Sequence, residues 1–308
     1  QLGKLDEIAL LEYLFNEELG VVIQVDNSKL KFVTASIEDA LGHSVYPIGR
    51  PTNNQLITVT VNGKKEFQET RANLQSWWSE TSYHIQSLRD NPKTSKEEYE
   101  NIHHNNDPGI NPQIHFEVPQ VIHFNKIKPK IAILREQGVN GHSEMAAAFY
   151  YAGFEAHDVH MSDIISGAKV LRDYQALAAC GGFSYGDVLG AGQGWAKSIL
   201  LNEKLRDQFQ AFFHRENTLA LGVCNGCQML SHIKELIPGT DFWPNFIKNE
   251  SEQFEARFLS VLIEKNNSPF LDGMEGSILP VAIAHGEGRV NFSNASQLHE
   301  AAKGNFIA

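Results

Sequence analysis

From Lys130 onward the chain alternates short apolar runs with helical stretches, and no other feature narrows its possible folds as far. Lys130-Ile-Ala-Ile-Leu134 reads as a buried strand, residues 143–151 as a helix, 154–159 as a strand and 162–166 as a short helix. A third strand at 176–180 is followed by a long helix across 195–214, a fourth strand at 218–223 and a helix from about Gly226. Strands separated by helices imply parallel pairing through right-handed crossovers. The expected class is α/β, a doubly wound and mostly parallel sheet, which binds ligands beyond the carboxyl ends of its strands.

The first ninety residues follow a different pattern. Leu5, Ile8, Leu11, Leu14, Phe15 and Leu19 recur at helical spacing, Val21-Val-Ile-Gln-Val25 reads as a strand, and a short helix is expected at 36–41. Asn62-Gly63 between two strand-like runs, 56–61 and 65–70, is a hairpin signal, because both central residues of such a turn need positive φ. Leu74, Trp77 or Trp78, Thr81, Ile85 and Leu88 mark an amphipathic helix. Residues 1–90 are thus expected to form an α+β piece. Residues 91–128 begin with a polar stretch rich in turn formers (Asn91-Pro92, Asn105-Asn-Asp-Pro-Gly109, Asn111-Pro112) and are expected to be a linker, and 129–308 the α/β domain. His103, His104, His115 and His123 fall in this region; without paired spacing to carboxylates they read as loop residues, not metal ligands.

A formal net charge of −11 and a pI near 5.6 argue against a nucleic-acid binder, which needs a basic stripe to replace counterions. Three cysteines in 308 residues form no disulfide framework and fit a reducing, cytosolic setting. No stretch approaches the ~20 apolar residues of a membrane span. The chain starts at Gln1 without an initiator Met and stops in what reads as the start of another strand, so an excerpt from a longer polypeptide is expected.

Within the α/β region, Gly222-Val-Cys-Asn-Gly-Cys-Gln228 sits where a strand gives way to a helix. This Gly-x-Cys-x-Gly is the thiol counterpart of a nucleophile elbow, whose sharp turn pushes the central side chain out over the sheet. The helix N-terminus beneath it favours a thiolate and offers N–H groups to an oxyanion. Cys180-Gly-Gly-Phe-Ser-Tyr-Gly-Asp187 ends the neighbouring strand, and a glycine N–H there can approach a substrate oxygen without steric cost. Three plainer readings compete: Cys224 as a core cysteine, Cys224-Asn-Gly-Cys227 as a redox pair, or the same pair as half a zinc site. Zinc would need two more ligands, and only Cys180 remains as a thiol. Cys227 and Cys180 themselves read as packing residues.

These residues resemble the class I (triad) glutamine amidotransferases. Longer stretches narrow the resemblance: Leu134-Arg-Glu-Gln-Gly-Val-Asn140, Val159-His-Met-Ser-Asp163, the 180–192 segment, 222–228, Phe254-Glu-Ala-Arg-Phe258 and Ala284-His-Gly-Glu-Gly-Arg289 are similar to the formylglycinamide ribonucleotide amidotransferases. Leu14-Phe-Asn-Glu-Glu-Leu-Gly20, Trp77-Trp78-Ser-Glu-Thr81 and Leu88-Arg-Asp-Asn-Pro92 resemble the end of that family's synthetase region and its connector. The resemblance implies a flavodoxin-like glutaminase domain with Cys224 as nucleophile. Gly182 and Asn225 would form the oxyanion hole through their N–H groups, and Gln228 would hydrogen-bond the substrate glutamine. It further implies ammonia delivery to an ATP- and Mg²⁺-dependent synthetase acting on formylglycinamide ribonucleotide, with no cofactor or metal held by residues 1–308.

One departure concerns the general base. The family carries its His and Glu in a Pro-His-Pro-Glu motif, which is absent from residues 1–308. His285-Gly-Glu287 copies the spacing but matches a separate family element, and His299-Glu300 is a weaker copy. The expectation is a chain that reacts at Cys224 without turning glutamine over. Two other functions compete with the amidotransferase reading. One is a cysteine hydrolase using Asp272 or Glu275 with His285; the other is a non-catalytic interaction module.

Overall fold

The computed structural model describes residues 7–42, 45–118 and 127–308, and the chain divides into two compact units, Gln1–Asp107 and Pro108–Ala308. In the first unit, helices α1 (Glu7–Leu14) and α2 (Leu30–Leu41) precede the hairpin β1 (Leu56–Val61)–β2 (Lys64–Thr70) and helices α3 (Arg71–Arg89) and α4 (Pro92–Glu100). The hairpin turns at Asn62 (φ 51°) and Gly63 (φ 80°), the positive-φ pair expected there. The Thr70 hydroxyl caps α3 by accepting from the Asn73 N–H at 3.1 Å.

Three expectations for this unit need correcting. Residues 21–25 join no strand, and Val21 is 88% exposed; an apolar β-branched run becomes a strand only where a neighbour completes its ladder. The second helix begins at Leu30, six residues before the expected start. The stretch after residue 90 is not wholly irregular, because Asn91-Pro92 starts α4: the Asn91 side chain accepts from the Lys93 and Thr94 N–H groups and Pro92 takes the first helical turn.

Helix α3 also faces the opposite way from its apolar stripe. Ala72 and Ser76 are its buried residues, whereas Trp78 is 88% and Leu88 90% exposed. The Tyr99 hydroxyl of α4 donates to the Ser76 carbonyl at 3.1 Å, and Tyr83 stacks on Tyr99 at 4.4 Å. Two of the loop histidines serve this local packing, His103 against the Ser76 hydroxyl (2.8 Å) and His104 against the Asn101 side chain (2.7 Å). In the second unit the His115 N–H donates to the Ser277 hydroxyl, and His123 lies outside the described residues.

The second unit begins β3 (Lys130–Arg135), α5 (His142–Tyr151), β4 (Glu155–His160), α6 (Met161–Ser166), β5 (Ala176–Ala179), α7 (Gln193–Leu200), α8 (Glu203–Phe213), β6 (Leu219–Gly222) and α9 (Asn225–His232). Its four strands pair in parallel in the order β4-β3-β5-β6, the flavodoxin-like order in which the first strand is central. Period-two alternation splits the strand residues between two layers. Ala132, Leu134, Leu177 and Ala179 pack under Trp195, Ile199, Phe209, Phe212 and Met229, while Ile131, Ile133, Ala178 and Cys180 pack under Phe149. The long helix expected across 195–214 is two helices. Asn202 interrupts it, its side chain accepting from the Leu205 N–H at 3.3 Å to cap α8.

Beyond α9 lie β7 (Asn245–Ile247), β8 (Glu255–Leu262), β9 (Ile278–His285), β10 (Arg289–Asn291) and α10 (Ala295–Lys303). β8 pairs antiparallel with β9 from Glu255↔His285 to Leu262↔Ile278, and β7 pairs with β10. Among the described residues no helix is long and apolar enough to cross a membrane.

Candidate active site

Parallel register decides which loops meet. Ala179 of β5 pairs with Gly222 of β6, so the chain leaves both strands at the same carboxyl edge. The Val223 N–H still donates to the Ala179 carbonyl at 3.0 Å, and the next residue turns sharply into α9. That residue is Cys224, at φ 53° and ψ −117°, a conformation a non-glycine residue holds only under strain. Its side chain is exposed, whereas Cys227 is half-buried and Cys180 fully buried.

The flanking glycines serve close packing. A Cβ on Gly226 would lie 2.1 Å from the Ala179 carbonyl oxygen, and one on Gly222 would lie 2.9 Å from the Cys227 Cα. They let the first turn of α9 descend onto the two strand ends.

The Gly181–Gly182 bend approaches from β5. A Cβ on Gly181 would stand 3.1 Å from the Cys224 Cβ and 3.8 Å from its Sγ. Gly182 has φ 144°, and a side chain there would collide with the 138–140 backbone, 2.6 Å from the Val139 Cα. The Phe183 N–H donates to the Gly138 carbonyl (2.9 Å) and the Asn140 N–H to the Gly181 carbonyl (3.2 Å), fixing the bend. Among the described residues neither the Gly182 nor the Asn225 N–H meets a protein acceptor. Cys224 and Gly182 both line a cleft of about 560 Å³ at this end of the sheet, and the buried Asn225 follows Cys224 as the first residue of α9.

Residues 128–308 match the family of CobB/CobQ-like glutamine amidotransferase domains. The chain belongs to that family. A solved structure, PurLQS from Thermotoga maritima, is 27% identical over 55% of this chain and 72% of its own, with a TM-score of 0.46.

In this amidotransferase domain the cleft is mainly apolar, walled by Met145, Phe183, Phe254 and Ala284, with Asn140 and Glu144 among its polar residues. Phe254 and Ala284 both stood in recognised motifs without a role, and their place at the cleft is seen only in the tertiary structure. Glu144 carries no distinguishing local pattern at all.

Gln228 is 7% exposed and has both ends of its amide engaged: Oε1 accepts from the Asn225 Nδ2 at 3.3 Å and Nε2 donates to the Glu287 carbonyl at 2.8 Å. Among the described residues no hydrogen bond or ion pair joins the His285 ring to the Glu287 carboxylate. The His285 Nδ1 faces the Asn249 Oδ1 at 2.9 Å and the Gly288 N–H at 3.1 Å, and Glu287 contributes its main-chain carbonyl to Gln228. His299 and Glu300 lie on α10. Among the described residues no group of three or more His, Cys, Asp or Glu is placed to hold a metal.

Burial separates the other two thiols from Cys224 chemically. It pushes Cys180 up to about 11, and raises Cys227, whose second cause is the charge carried by a Cys224 thiolate. At pH 8, iodoacetamide should therefore modify Cys224 in the native protein while leaving Cys180 unmodified until denaturant is added, as read by peptide mass spectrometry. Native-state labelling of Cys180 at a rate within about threefold of Cys224 would contradict its burial.

Proposed function

We propose that this chain carries the glutaminase site of a phosphoribosylformylglycinamidine synthase. The Cys224 thiolate attacks the side-chain carbonyl carbon of glutamine, and the oxygen that becomes negative accepts from the Gly182 and Asn225 N–H groups. Collapse of that intermediate breaks the C–N bond, releases ammonia once the nitrogen is protonated, and leaves a glutamyl thioester that water hydrolyses to glutamate. The ammonia passes to a synthetase site where ATP, with Mg²⁺, activates the amide oxygen of formylglycinamide ribonucleotide for displacement by nitrogen.

The observation that supports this reading is the strained Cys224 packed against the Gly181–Gly182 bend, with the Gly182 and Asn225 N–H groups unengaged among the described residues. The choice of this synthetase over other amidotransferase partners rests on the length of the matching sequence stretches, from Leu134 to Arg289. Pro-His-Pro-Glu has no counterpart in residues 1–308, and His285 is engaged with Asn249. The 308-residue chain by itself is therefore expected to react at Cys224 without sustained glutaminase turnover.

A diazo-ketone analogue of glutamine tests the reading. It should label Cys224 stoichiometrically, and millimolar glutamine should slow labelling at least about tenfold by occupying the same cleft. Ester hydrolysis with no protection by glutamine would point instead to a general cysteine hydrolase. Absence of any glutamine-protected labelling would remove the amidotransferase assignment of the site.

A further inference from the structure

Asn225 contributes more than its main chain. Its side chain is 0% exposed, and its carboxamide is bonded at both ends. Oδ1 accepts from the Ser184 N–H at 3.2 Å, while Nδ2 donates to the Asp187 carboxylate at 3.0 Å and to the Gln228 Oε1 at 3.3 Å. Gln228 passes the connection on to the Glu287 carbonyl at 2.8 Å. One buried amide thus ties the elbow helix to the loop that follows β5, and through Gln228 to the segment after β9.

That loop cannot hold its shape unaided. Tyr185 (φ 53°), Gly186 (φ 63°) and Asp187 (φ 51°) are three successive left-handed residues, two of them not glycine. On its far side the loop is fastened to 137–140 by the Phe183 and Tyr185 N–H groups, which donate to the Gly138 (2.9 Å) and Gln137 (3.0 Å) carbonyls. On the elbow side Asn225 bonds to the loop at Ser184 and Asp187, next to the left-handed residues, while His232 at the far end of α9 bonds to the Ala191 backbone. Gly182 stands two residues before Ser184 and carries one of the two free N–H groups, while the other is on Asn225 itself.

We propose that the Asn225 side chain is a positioning residue that sets the separation between the Gly182 and Asn225 N–H groups, with Asp187 as its anchor. This inference rests on the amidotransferase reading of the site. It also gives Gln228 a supporting place in the strut, in keeping with its engaged amide. A strut of this kind acts on the oxyanion and not on the thiol. Misplacing a donor by about 1 Å is enough to cost about 100-fold in an acyl-transfer step. Alkylation of a thiolate by iodoacetamide is a displacement at saturated carbon and develops no oxyanion, so it is blind to the hole.

The test uses the full-length protein and measures both reactions. Asn225→Ala keeps the main-chain N–H and removes only the strut. Glutaminase kcat should fall about 100-fold with KM for glutamine changed less than about threefold, while the iodoacetamide rate at Cys224 stays within about threefold of the native value. Asp187→Ala, at a half-buried position, should show the same split to a smaller degree. Asp187→Asn keeps an acceptor for the Asn225 amide and should recover most of the loss. An unchanged kcat in both alanine variants would overturn the proposal. So would a parallel loss of alkylation, which would mean that the elbow itself had collapsed, or a rise in KM alone, which would make the amide a substrate contact. A native protein with no Cys224-dependent glutaminase would instead refute the reading of the site.

Discussion

Cys224→Ala in the full-length protein is expected to abolish glutamine-dependent product formation, lowering it by at least about 10⁴-fold, while ammonium salts still support the reaction. Removing a nucleophile leaves only the catalysis that the remaining donors and binding supply, which accounts for losses of this size in other acyl-transfer enzymes. Nothing nearby can take over. Cys227 is half-buried one turn into α9, and Cys180 lies in the core with its thiol pushed to about 11. Ammonia rescue follows from the proposed division of labour, since external ammonia bypasses the thioester and enters at the synthetase. Comparing initial rates with glutamine and with ammonium chloride tests both halves. Glutamine-dependent turnover within about tenfold of native would remove Cys224 from the nucleophile position. Loss of the ammonia reaction to the same extent would break the assumed separation of the two sites.

Gly226→Ala is expected to destabilise the second unit strongly. The added carbon would meet the Ala179 carbonyl oxygen at 2.1 Å and its carbonyl carbon at 2.4 Å. Relief requires moving either β5 or α9. β5 is hydrogen-bonded on both sides, to β3 and β6, and α9 carries Cys224 at its N-cap. Overpacking against backbone that cannot yield should cost about 3 kcal/mol or more, which lowers Tm by about 6–12 °C for a unit of this size. Gly239→Ala is a suitable control, because Gly239 has a positive φ (75°) but open space around its Cβ position, so it reports backbone strain alone. A Gly226→Ala protein melting no lower than the Gly239→Ala control would mean that helix and strand slide apart easily. The close-approach account of the elbow would then fail.

Much of this architecture could be read before any coordinates. The parallel sheet follows from strands too far apart in sequence to form hairpins, each bridged by a helix. The hairpin at Asn62-Gly63 follows from two residues that tolerate positive φ. Gly-x-Cys-x-Gly marked the elbow because a tight turn over a packed strand end admits almost nothing else. These are local signals, carried by residues whose conformation or size is decided by their immediate neighbours. The failures were also local in origin. The 21–25 run had strand composition but no partner strand. Asn202 capped a new helix inside what looked like a single one. The stripe of α3 predicted its own periodicity correctly and the wrong face of burial, because periodicity says which residues share a face and not what that face meets.

The sequence by itself determined the doubly wound class, the elbow and the identity of its thiol. Each depends on steric rules acting over a few residues, and those rules leave few alternatives. Only the tertiary structure decided what Gln228, Asn225 and His285 touch, and that Phe254 and Ala284 wall the same cleft as Cys224. Those contacts join segments 30–60 residues apart along the chain. An amide or imidazole carries no local mark of its partner, because hydrogen-bond capacity is the same whether it is satisfied by substrate, by a neighbouring loop or by water.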